Sequence, residues 1–306
     1  MLTHSRNQDV FKWDSRVKAS HSAPIPWGGR YTQKGGGLAA WRETLAAAKR
    51  IRSLGVDVGI DPRGDVRSQL LLLLCGCRTR TGFTNYLVNS NLKTRGVLLN
   101  RNYGEMEEEH RFEINRKLAA FALRRELPEL SMPCFRADRL AAGELGAAKI
   151  VVHAFGGWEG KLWAPRRWAE LLNGLKQEIP GREVLLCGAP EDEERLAELA
   201  ALTGQEYRLT SLAELIGALK NARLFLGIDS GQMNLASALG VPVVALFGPG
   251  DSTRWRPLSA GSRFPHHKFD CNPCPQKKCV RPNDSCMARL DVDAVRQAVL
   301  EVLGDG

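Results

Sequence analysis

Short apolar runs alternate with stretches of helical periodicity through the second half of the chain. Four runs predict strands buried on both faces, at 149–153, 183–187, 223–228 and 241–247. The segments between and after them predict helices over 165–179, 191–202, 211–222 and 231–239. Ser211 and Glu214 have the spacing of a capping box. Strands that alternate with helices in this way require crossover connections, so this half is predicted to be a Rossmann-like domain with a parallel sheet.

The first half of the chain is less regular. Its apolar spacing predicts helices over 41–55, 66–74 and 107–127 and a short strand over 56–61, with Gly55 as the C-cap of the first helix. A Pro-containing stretch with Pro128 and Pro133 follows and is the predicted linker. We divide the chain into an irregular N-terminal segment at 1–45, a partial domain at 46–145 and a domain at 146–306 that ends in a cysteine cluster and a helix.

Length and composition exclude several classes of protein. The 306 residues fit about two domains of roughly 150 residues each. The chain is 43% hydrophobic and 25% charged, as in a folded globular protein. Its first 14 residues are polar, unlike a secretory signal, and eight cysteines in so long a chain are no disulfide framework. These features predict a cytoplasmic protein.

The net charge of +9 is unevenly distributed. Residues 1–150 hold 25 Lys and Arg against 15 Asp and Glu, and residues 151–306 hold 18 against 19. A balance of +10 in one half and −1 in the other indicates that the first half meets an anionic partner, although a solvated basic face would give the same count.

The end of the predicted strand at 223–228 is a candidate anion site. It continues as Asp229-Ser-Gly-Gln-Met-Asn234, and the backbone N–H groups of Ser230, Gly231 and Gln232 would be unpaired donors at the start of the next helix. Such a helix start suits a phosphate or diphosphate. The alternative is that Asp229 or Ser230 only caps the helix.

Two other strand ends carry candidate residues. After the strand at 149–153, Gly156 and Gly157 would let a ligand approach the backbone, and Lys161 would add a mobile positive charge. After the strand at 183–187, the carboxylate of Asp192 is placed to accept ribose hydroxyls, or else forms the usual acidic first turn of a helix.

Four cysteines near the end of the chain have a spacing that fits two interpretations. Cys271, Cys274, Cys279 and Cys286 could chelate a structural zinc ion or be reduced thiols around a Pro-rich turn. Cys75, Cys77, Cys134 and Cys187 lie in apolar surroundings and are predicted core residues. The sequence contains neither the dinucleotide fingerprint nor the P-loop motif, and no catalytic metal or cofactor is predicted.

The second half resembles glycosyltransferase family 9, the heptosyltransferase-like enzymes of bacterial lipopolysaccharide assembly. The resemblance rests on the segment from Gly227 to Gly250 with Trp255 and Pro257, and on 156–163 with Arg167 and Trp168. In the first half, 60–68 and 80–83 resemble acceptor-side segments of the family.

The resemblance implies a GT-B architecture of two Rossmann-like domains that face each other across a cleft. The C-terminal domain would bind a nucleotide-diphosphate sugar, with ADP-heptose the expected donor, and the other domain an anionic lipid-linked glycan. Transfer would invert the anomeric centre without a metal, and peripheral contact with the inner face of the cytoplasmic membrane would follow. The donor-binding residues implied by the motifs are Gly156, Gly157, Lys161, Asp192, Thr210, Asp229, Ser230, Gly231, Gln232 and Asn234.

The sequence departs from the family in two places. Asn234 stands where the family has a histidine, so it can donate a hydrogen bond but carries no charge. The family's opening strand–loop–helix units, which bear the aspartate base, have no counterpart here, so the N-terminal domain is predicted to be incomplete. Asp65 is not assigned as the base, and the catalytic residue stays unknown.

The missing units would leave the apolar faces of 70–74 and 112–123 without partners, either because the chain is truncated or because its start lies upstream. We therefore expect little or no transferase activity from this chain. The alternatives are a non-catalytic nucleotide-sugar binder and a zinc-containing nucleic-acid-binding protein, although scattered basic residues without interleaved aromatics disfavour nucleic acid.

Overall fold

The chain folds into two compact units in a computed structural model. The structure describes residues 1–3, 10–23, 38–84, 96–104, 108–140, 150–274 and 279–304. The N-terminal unit comprises Met1–Lys12 and Arg16–Leu130, and the C-terminal unit comprises Trp13–Ser15 and Ser131–Gly306. The division after Leu130 falls within the Pro-containing stretch. The domain boundary predicted at 145 and 146 lies outside the described residues and stays a prediction.

The N-terminal unit has two small parallel sheets among its described residues. Its strands are β1 (Leu2–Thr3), β2 (His21–Ser22), β3 (Val58–Asp61), β4 (Thr79–Gly82) and β5 (Arg101–Asn102). The helices with described bounds in this unit are α1 (Leu38–Ser53), α2 (Val66–Leu74) and α3 (Arg111–Leu123). Strand β1 pairs with β2, and the larger sheet has the order β3-β4-β5.

Local sequence explains where these helices begin and end. Asp65 caps α2 by accepting hydrogen bonds from the backbone N–H groups of Arg67 and Ser68. Gly55 has a φ of +65°, which suits the residue that ends α1, as predicted. Helix α1 begins at Leu38, earlier than the predicted Trp41, and α3 is shorter than the predicted 107–127.

The prediction that two apolar faces lack partners is wrong for α3. Its Leu118 is fully buried and Ile114 nearly so, and both pack with the fully buried Phe83 at the end of β4. In α2, Leu71 is also buried, whereas Leu73 is 41% exposed. The sequence pattern missed β4, which supplies the surface that α3 covers.

The C-terminal unit is a five-stranded parallel sheet with the order β10-β9-β6-β7-β8. Its strands are β6 (Ile150–His153), β7 (Val184–Gly188), β8 (Glu206–Leu209), β9 (Leu224–Ile228) and β10 (Val243–Leu246). Its described helices are α4 (Pro165–Glu178), α5 (Glu193–Thr203), α6 (Leu212–Lys220), α7 (Gly231–Ala238), α8 (Ser252–Trp255), α9 (Cys286–Arg289) and α10 (Val292–Gly304). The predicted Rossmann-like α/β class is confirmed for this unit.

Alternating residues of the central strands feed two separate cores. In β6, Val152 packs in one core with Trp168 of α4 and Val299 of α10, whereas Val151 packs in the other with Met233 of α7. A parallel strand buried on both faces needs an apolar residue at every position, which explains the unbroken apolar runs in the sequence.

The sequence pattern missed β8 and the attachment of an early segment to this unit. Strand β8 lies at the edge of the sheet and alternates between exposed and half-buried residues, so it forms no apolar run. Trp13 is buried against Ala137 and Ile216, and the Ser15 hydroxyl donates to Asp138 Oδ2 at 2.5 Å. Part of the segment predicted to be irregular is therefore packed into the C-terminal unit.

None of the helices in the described ranges combines the length and apolar character that a bilayer crossing requires.

Candidate functional site

Four neighbouring strands of the C-terminal sheet end at the same edge, where parallel α/β sheets bind their ligands. Every predicted donor-binding residue follows one of them. In the order of the sheet, Asp229, Ser230, Gly231, Gln232 and Asn234 follow β9, Gly156, Gly157 and Lys161 follow β6, Asp192 follows β7, and Thr210 follows β8. The parallel topology thus brings residues from 156 to 234 to one edge.

The N-terminal end of α7 lies at this edge and is open. Ser230 is the N-cap, and its Oγ accepts from the backbone N–H of Met233 at 3.2 Å. The backbone N–H groups of Gly231 and Gln232 belong to the first helical turn, which has no intrahelical acceptor for them. A Cβ placed on Gly231 would have no heavy atom within 4 Å, so there is room for a ligand above the helix end. The capping interpretation is therefore correct for Ser230 and leaves two donors for an anion.

Lys161 points to this helix end. It closes a single 3₁₀ turn, Glu159–Lys161, and its Nζ lies 2.5 Å from Asp229 Oδ2 and 3.1 Å from the Asp229 carbonyl oxygen. The ammonium group also lies 5.5 Å from the centre of the Trp158 ring, within cation–π range. The Lys161 side chain is 22% exposed and that of Asp229 only 6%, so the pair is largely withdrawn from water.

The geometry of the pair leaves capacity for a ligand. An ammonium group has three N–H donors, and Asp229 accepts two of them. The third can donate to a phosphate oxygen, because the Lys161 side chain is still partly exposed. Asp229 therefore orients the Lys161 side chain next to the first turn of α7.

Asn234 is partly used within its own helix. Its Nδ2 donates to the carbonyl oxygen of Ser230 at 3.1 Å, which leaves one amide hydrogen for another acceptor. The side chain that replaces the family's histidine thus stiffens the first turn of α7 rather than adding charge.

The remaining predicted residues lie further along the edge. Asp192 ends the 3₁₀ turn Pro190–Asp192, and its charge acts on the fully buried ring of His153 at the end of β6. Burial lowers the pKa of His153, and Asp192 opposes that shift. Thr210 donates its backbone N–H to Gly188 at 2.9 Å, which joins the ends of β8 and β7. The strand order places Asp192 and Thr210 two and three strands away from Asp229.

The sequence analysis missed the loop after β10 as part of this site. A Cβ on Gly250 would overlap Asp229 Oδ2, so the backbone of this loop lies directly against the buried carboxylate. The Gly248-Pro-Gly250 motif that follows an apolar strand could have indicated a close backbone approach. Trp158, which faces Lys161, was also missed.

The N-terminal unit carries two aspartates at the end of β3. Asp61 is 2% exposed and accepts from the backbone N–H groups of Arg63 and Gly64, and burial raises its pKa to about 6. Burial would also raise the pKa of Asp65, but the hydrogen bond from the Ser68 backbone and the nearby Arg63 charge hold it below its usual range. Asp65 caps α2, and the identity of the catalytic base stays unassigned.

The cysteines show no metal centre within the part of the chain that the structure describes. No group of three or more His, Cys, Asp or Glu side chains there is arranged to hold an ion. Burial raises the pKa of Cys75 to about 11 and that of Cys187 to about 12, as expected for core thiols. Cys134, also predicted to lie in the core, is only half-buried.

Known proteins resemble this chain in sequence and in fold. The sequence model of glycosyltransferase family 9 (heptosyltransferase) matches residues 44–284. The chain is 30% identical over 237 residues to lipopolysaccharide heptosyltransferase 1 of Pseudomonas aeruginosa, a match that covers 76% of this chain and 65% of that protein. It is 27% identical over 217 residues to lipopolysaccharide heptosyltransferase 1 of Escherichia coli K12, which covers 69% and 65%. The chain thus spans a little under two thirds of the length of these relatives.

Solved structures share the fold. The structure of E. coli heptosyltransferase WaaC with ADP is similar with a TM-score of 0.76 at 20% identity, covering 98% of this chain and 89% of that one. The glycosyltransferase family 9 protein of Veillonella parvula is similar with a TM-score of 0.72 at 15% identity, covering 100% and 88%. These neighbours show a GT-B-like α/β fold with parallel sheets. The family model covers well over half of the sequence, and the chain therefore belongs to glycosyltransferase family 9, the heptosyltransferase family.

Proposed function

We propose that the C-terminal unit binds the diphosphate of a nucleotide sugar at the first turn of α7. The observation that carries this proposal is the Lys161 ammonium, held by Asp229 at 2.5 Å next to two N–H donors of the first turn of α7 and the open space above Gly231. Backbone donors and a positive charge at a helix N-terminus suit a diphosphate.

The relatives support a finer assignment of the donor. One solved neighbour contains ADP and another contains ADP-2-deoxy-2-fluoro heptose. ADP-heptose is accordingly the proposed donor of this chain. Gly156 and Gly157 would line the diphosphate, Asp192 would accept the ribose hydroxyls, and Thr210 would lie near the base.

The proposed reaction is transfer of a heptose or a similar sugar to a lipopolysaccharide core or related glycan, with inversion at the anomeric carbon. Lys161 and the N–H groups of α7 would stabilise the negative charge that develops on the diphosphate as it leaves. The proposed reaction assigns this role to fixed donors of the protein rather than to a metal. The group that accepts the proton of the attacking hydroxyl stays unassigned.

Helix α1 supports peripheral contact with an anionic membrane. Leu38, Trp41 and Leu45 recur at helical spacing, and they are 84%, 38% and 47% exposed, while Arg42 and Lys49 are exposed cations on the same helix. An exposed apolar stripe with neighbouring positive charge is typical of helices that lie on lipid surfaces. Flotation with anionic vesicles but not with neutral ones is the expected result.

Calorimetric titration tests the donor site. We expect ADP to bind the chain, and Lys161→Met to weaken binding roughly 10- to 100-fold, because a charge-assisted hydrogen bond is lost. Lys176→Met is the matched control, since Lys176 is an exposed lysine in the last turn of α4. Failure of the unaltered chain to bind ADP or UDP, or equal binding by Lys161→Met, contradicts the proposal.

Turnover is measured separately. Incubation with ADP-heptose and a lipopolysaccharide acceptor shows whether transfer accompanies binding. Binding with no transfer supports the alternative of a non-catalytic nucleotide-sugar binder.

A further inference from the structure

The loop that follows β10 touches the most buried group of the candidate site. Its Gly250 backbone lies against Asp229 Oδ2 so closely that a Cβ would overlap the carboxylate. Asp229 in turn holds the Lys161 ammonium through two hydrogen bonds. The loop backbone, the Asp229 carboxylate and the Lys161 ammonium are therefore in direct succession next to α7.

Two side chains from a distant segment hold this loop by a single atom. His266 Nε2 lies 2.9 Å from the carbonyl oxygen of Gly248, and Asn272 Nδ2 donates to the same oxygen at 2.7 Å. The backbone N–H of Cys274 donates to the next carbonyl, that of Pro249, at 2.9 Å. Three donors from 266–274 thus fix two successive carbonyls of the loop.

The other side of the loop is closed by packing. A Cβ on Gly248 would overlap the Met287 side chain, so α9 presses on the loop at the residue whose carbonyl accepts the two side-chain donors. The loop is therefore held between 266–274, α9 and the Asp229 carboxylate.

The surroundings of His266 favour the neutral tautomer that carries its proton on Nε2. A carbonyl oxygen only accepts, so Nε2 must carry the proton, while the buried Nδ1 has no hydrogen-bond partner among the described residues. Burial lowers the pKa of His266, which keeps the ring neutral with its proton on Nε2.

We propose that His266 and Asn272 are positioning residues for the diphosphate site: through the shared Gly248 carbonyl they hold the 248–250 loop against Asp229 and thereby aim Lys161. This inference rests on the proposed donor site. It also gives the Cys271–Cys274 turn a role that needs no metal, because this turn carries Asn272 and the Cys274 N–H that bind the loop.

Paired substitutions separate positioning from general stability. His266→Leu removes one donor, and Asn272→Asp removes the other while keeping the Oδ1 acceptor that the Phe269 N–H uses at 2.7 Å. We expect each to weaken ADP binding about 3- to 10-fold, and the double variant to weaken it by more than the product, because both donors hold one oxygen. His266→Gln, which can still donate, should restore affinity to within about 2-fold.

The matched control is His267→Leu, since His267 is an exposed neighbour whose ring packs on Phe269. It should bind ADP as the unaltered chain does. Urea unfolding identifies any variant that loses stability instead, and the single variants carry the test if the double variant does not fold. Unchanged ADP affinity in folded His266→Leu and Asn272→Asp, or no recovery in His266→Gln, overturns the inference.

A ligand-free measurement keeps this test independent of the proposed function. The backbone amide resonances of Gly250 and Asp229 should shift in His266→Leu and stay in place in His267→Leu. If the unaltered chain binds no ADP while these resonances shift as expected, the donor assignment fails and the positioning contact stands. If ADP binds and the resonances do not move, the positioning contact is wrong.

Discussion

Lys161 and Asp229 form a buried ion pair. Substitution of one partner should lower the stability of the protein more than substitution of the other. The carboxylate is 6% exposed and the ammonium 22% exposed. Lys161→Met leaves a negative charge that water can scarcely reach. Asp229→Asn leaves an ammonium that can turn towards solvent and still donate to the Asn oxygen.

The exposures set the expected magnitudes. Removing one partner of a buried pair costs about 3–5 kcal/mol when the remaining charge stays buried, so Lys161→Met should lie near that range. Asp229→Asn should cost only about 1–2 kcal/mol, because it keeps a hydrogen bond and strands no buried charge. The double variant should cost much less than the sum of the two, since no unpaired charge remains in it.

Urea unfolding, monitored by tryptophan fluorescence, measures these differences in the C-terminal unit, which contains the pair. Trp163 and Trp168 are almost fully buried and pack edge to face in the core of the C-terminal unit. If only the free energy of unfolding changes, the urea concentration at the midpoint should fall while the dependence of that free energy on urea concentration stays constant. A cost for Asp229→Asn equal to or above that of Lys161→Met, or strictly additive costs, would refute the argument from burial.

Three other predictions concern single positions. Gly250→Ala should cost about 1–3 kcal/mol and weaken ADP binding, because its Cβ meets a buried carboxylate, whereas Gly174→Ala in α4 meets nothing closer than 3.7 Å and should unfold at or above the urea midpoint of the unaltered chain. Burial raises the pKa of Asp61 from 3.8 to about 6, so its contribution to stability is full below the lower value and is lost as pH rises through the higher one. Between about pH 4 and 7 the unaltered chain should lose up to about 3 kcal/mol relative to Asp61→Asn, and parallel pH profiles of urea stability would contradict this. Ser211→Ala should cost about 1 kcal/mol in urea unfolding, since Ser211 and Glu214 form both hydrogen bonds of the predicted capping box, and no loss would show that the cap is dispensable.

The elements of the C-terminal unit were predictable because each is either buried on both faces or amphipathic. Strand β6 is apolar as far as His153, its last residue, and β9 contains only apolar residues and Gly227. Helix α6 begins at the predicted capping box. Strand β8 was not predictable in this way, since an edge strand buries only one face and the sequence Glu-Tyr-Arg-Leu is too short to establish alternation.

The candidate site was predictable only where it lies at the end of a strand. Lys161 and Ser230 follow strands with clear apolar runs, so the rule for parallel sheets brings them together. His266 and Asn272 act on a carbonyl 18 and 24 residues earlier in the chain, and no local pattern encodes that contact. Gly250 is an intermediate case. Its Gly-Pro-Gly motif can be read from the sequence, but its contact with the Asp229 carboxylate cannot.

The charges of the site indicate how it would bind the proposed diphosphate within a nearly neutral half of the chain. Lys161 and Asp229 cancel, and Asn234 adds no charge, so the pair supplies little net attraction for an anion. Affinity must then come from the direction of the donors: one N–H of the ammonium, held by two hydrogen bonds, and two helix-end amides that α7 fixes in place. Donors fixed in advance lose little entropy when the ligand binds, which a freely rotating lysine could not offer. The site therefore depends on the contacts that hold Asp229 in place as much as on the charge that Lys161 carries.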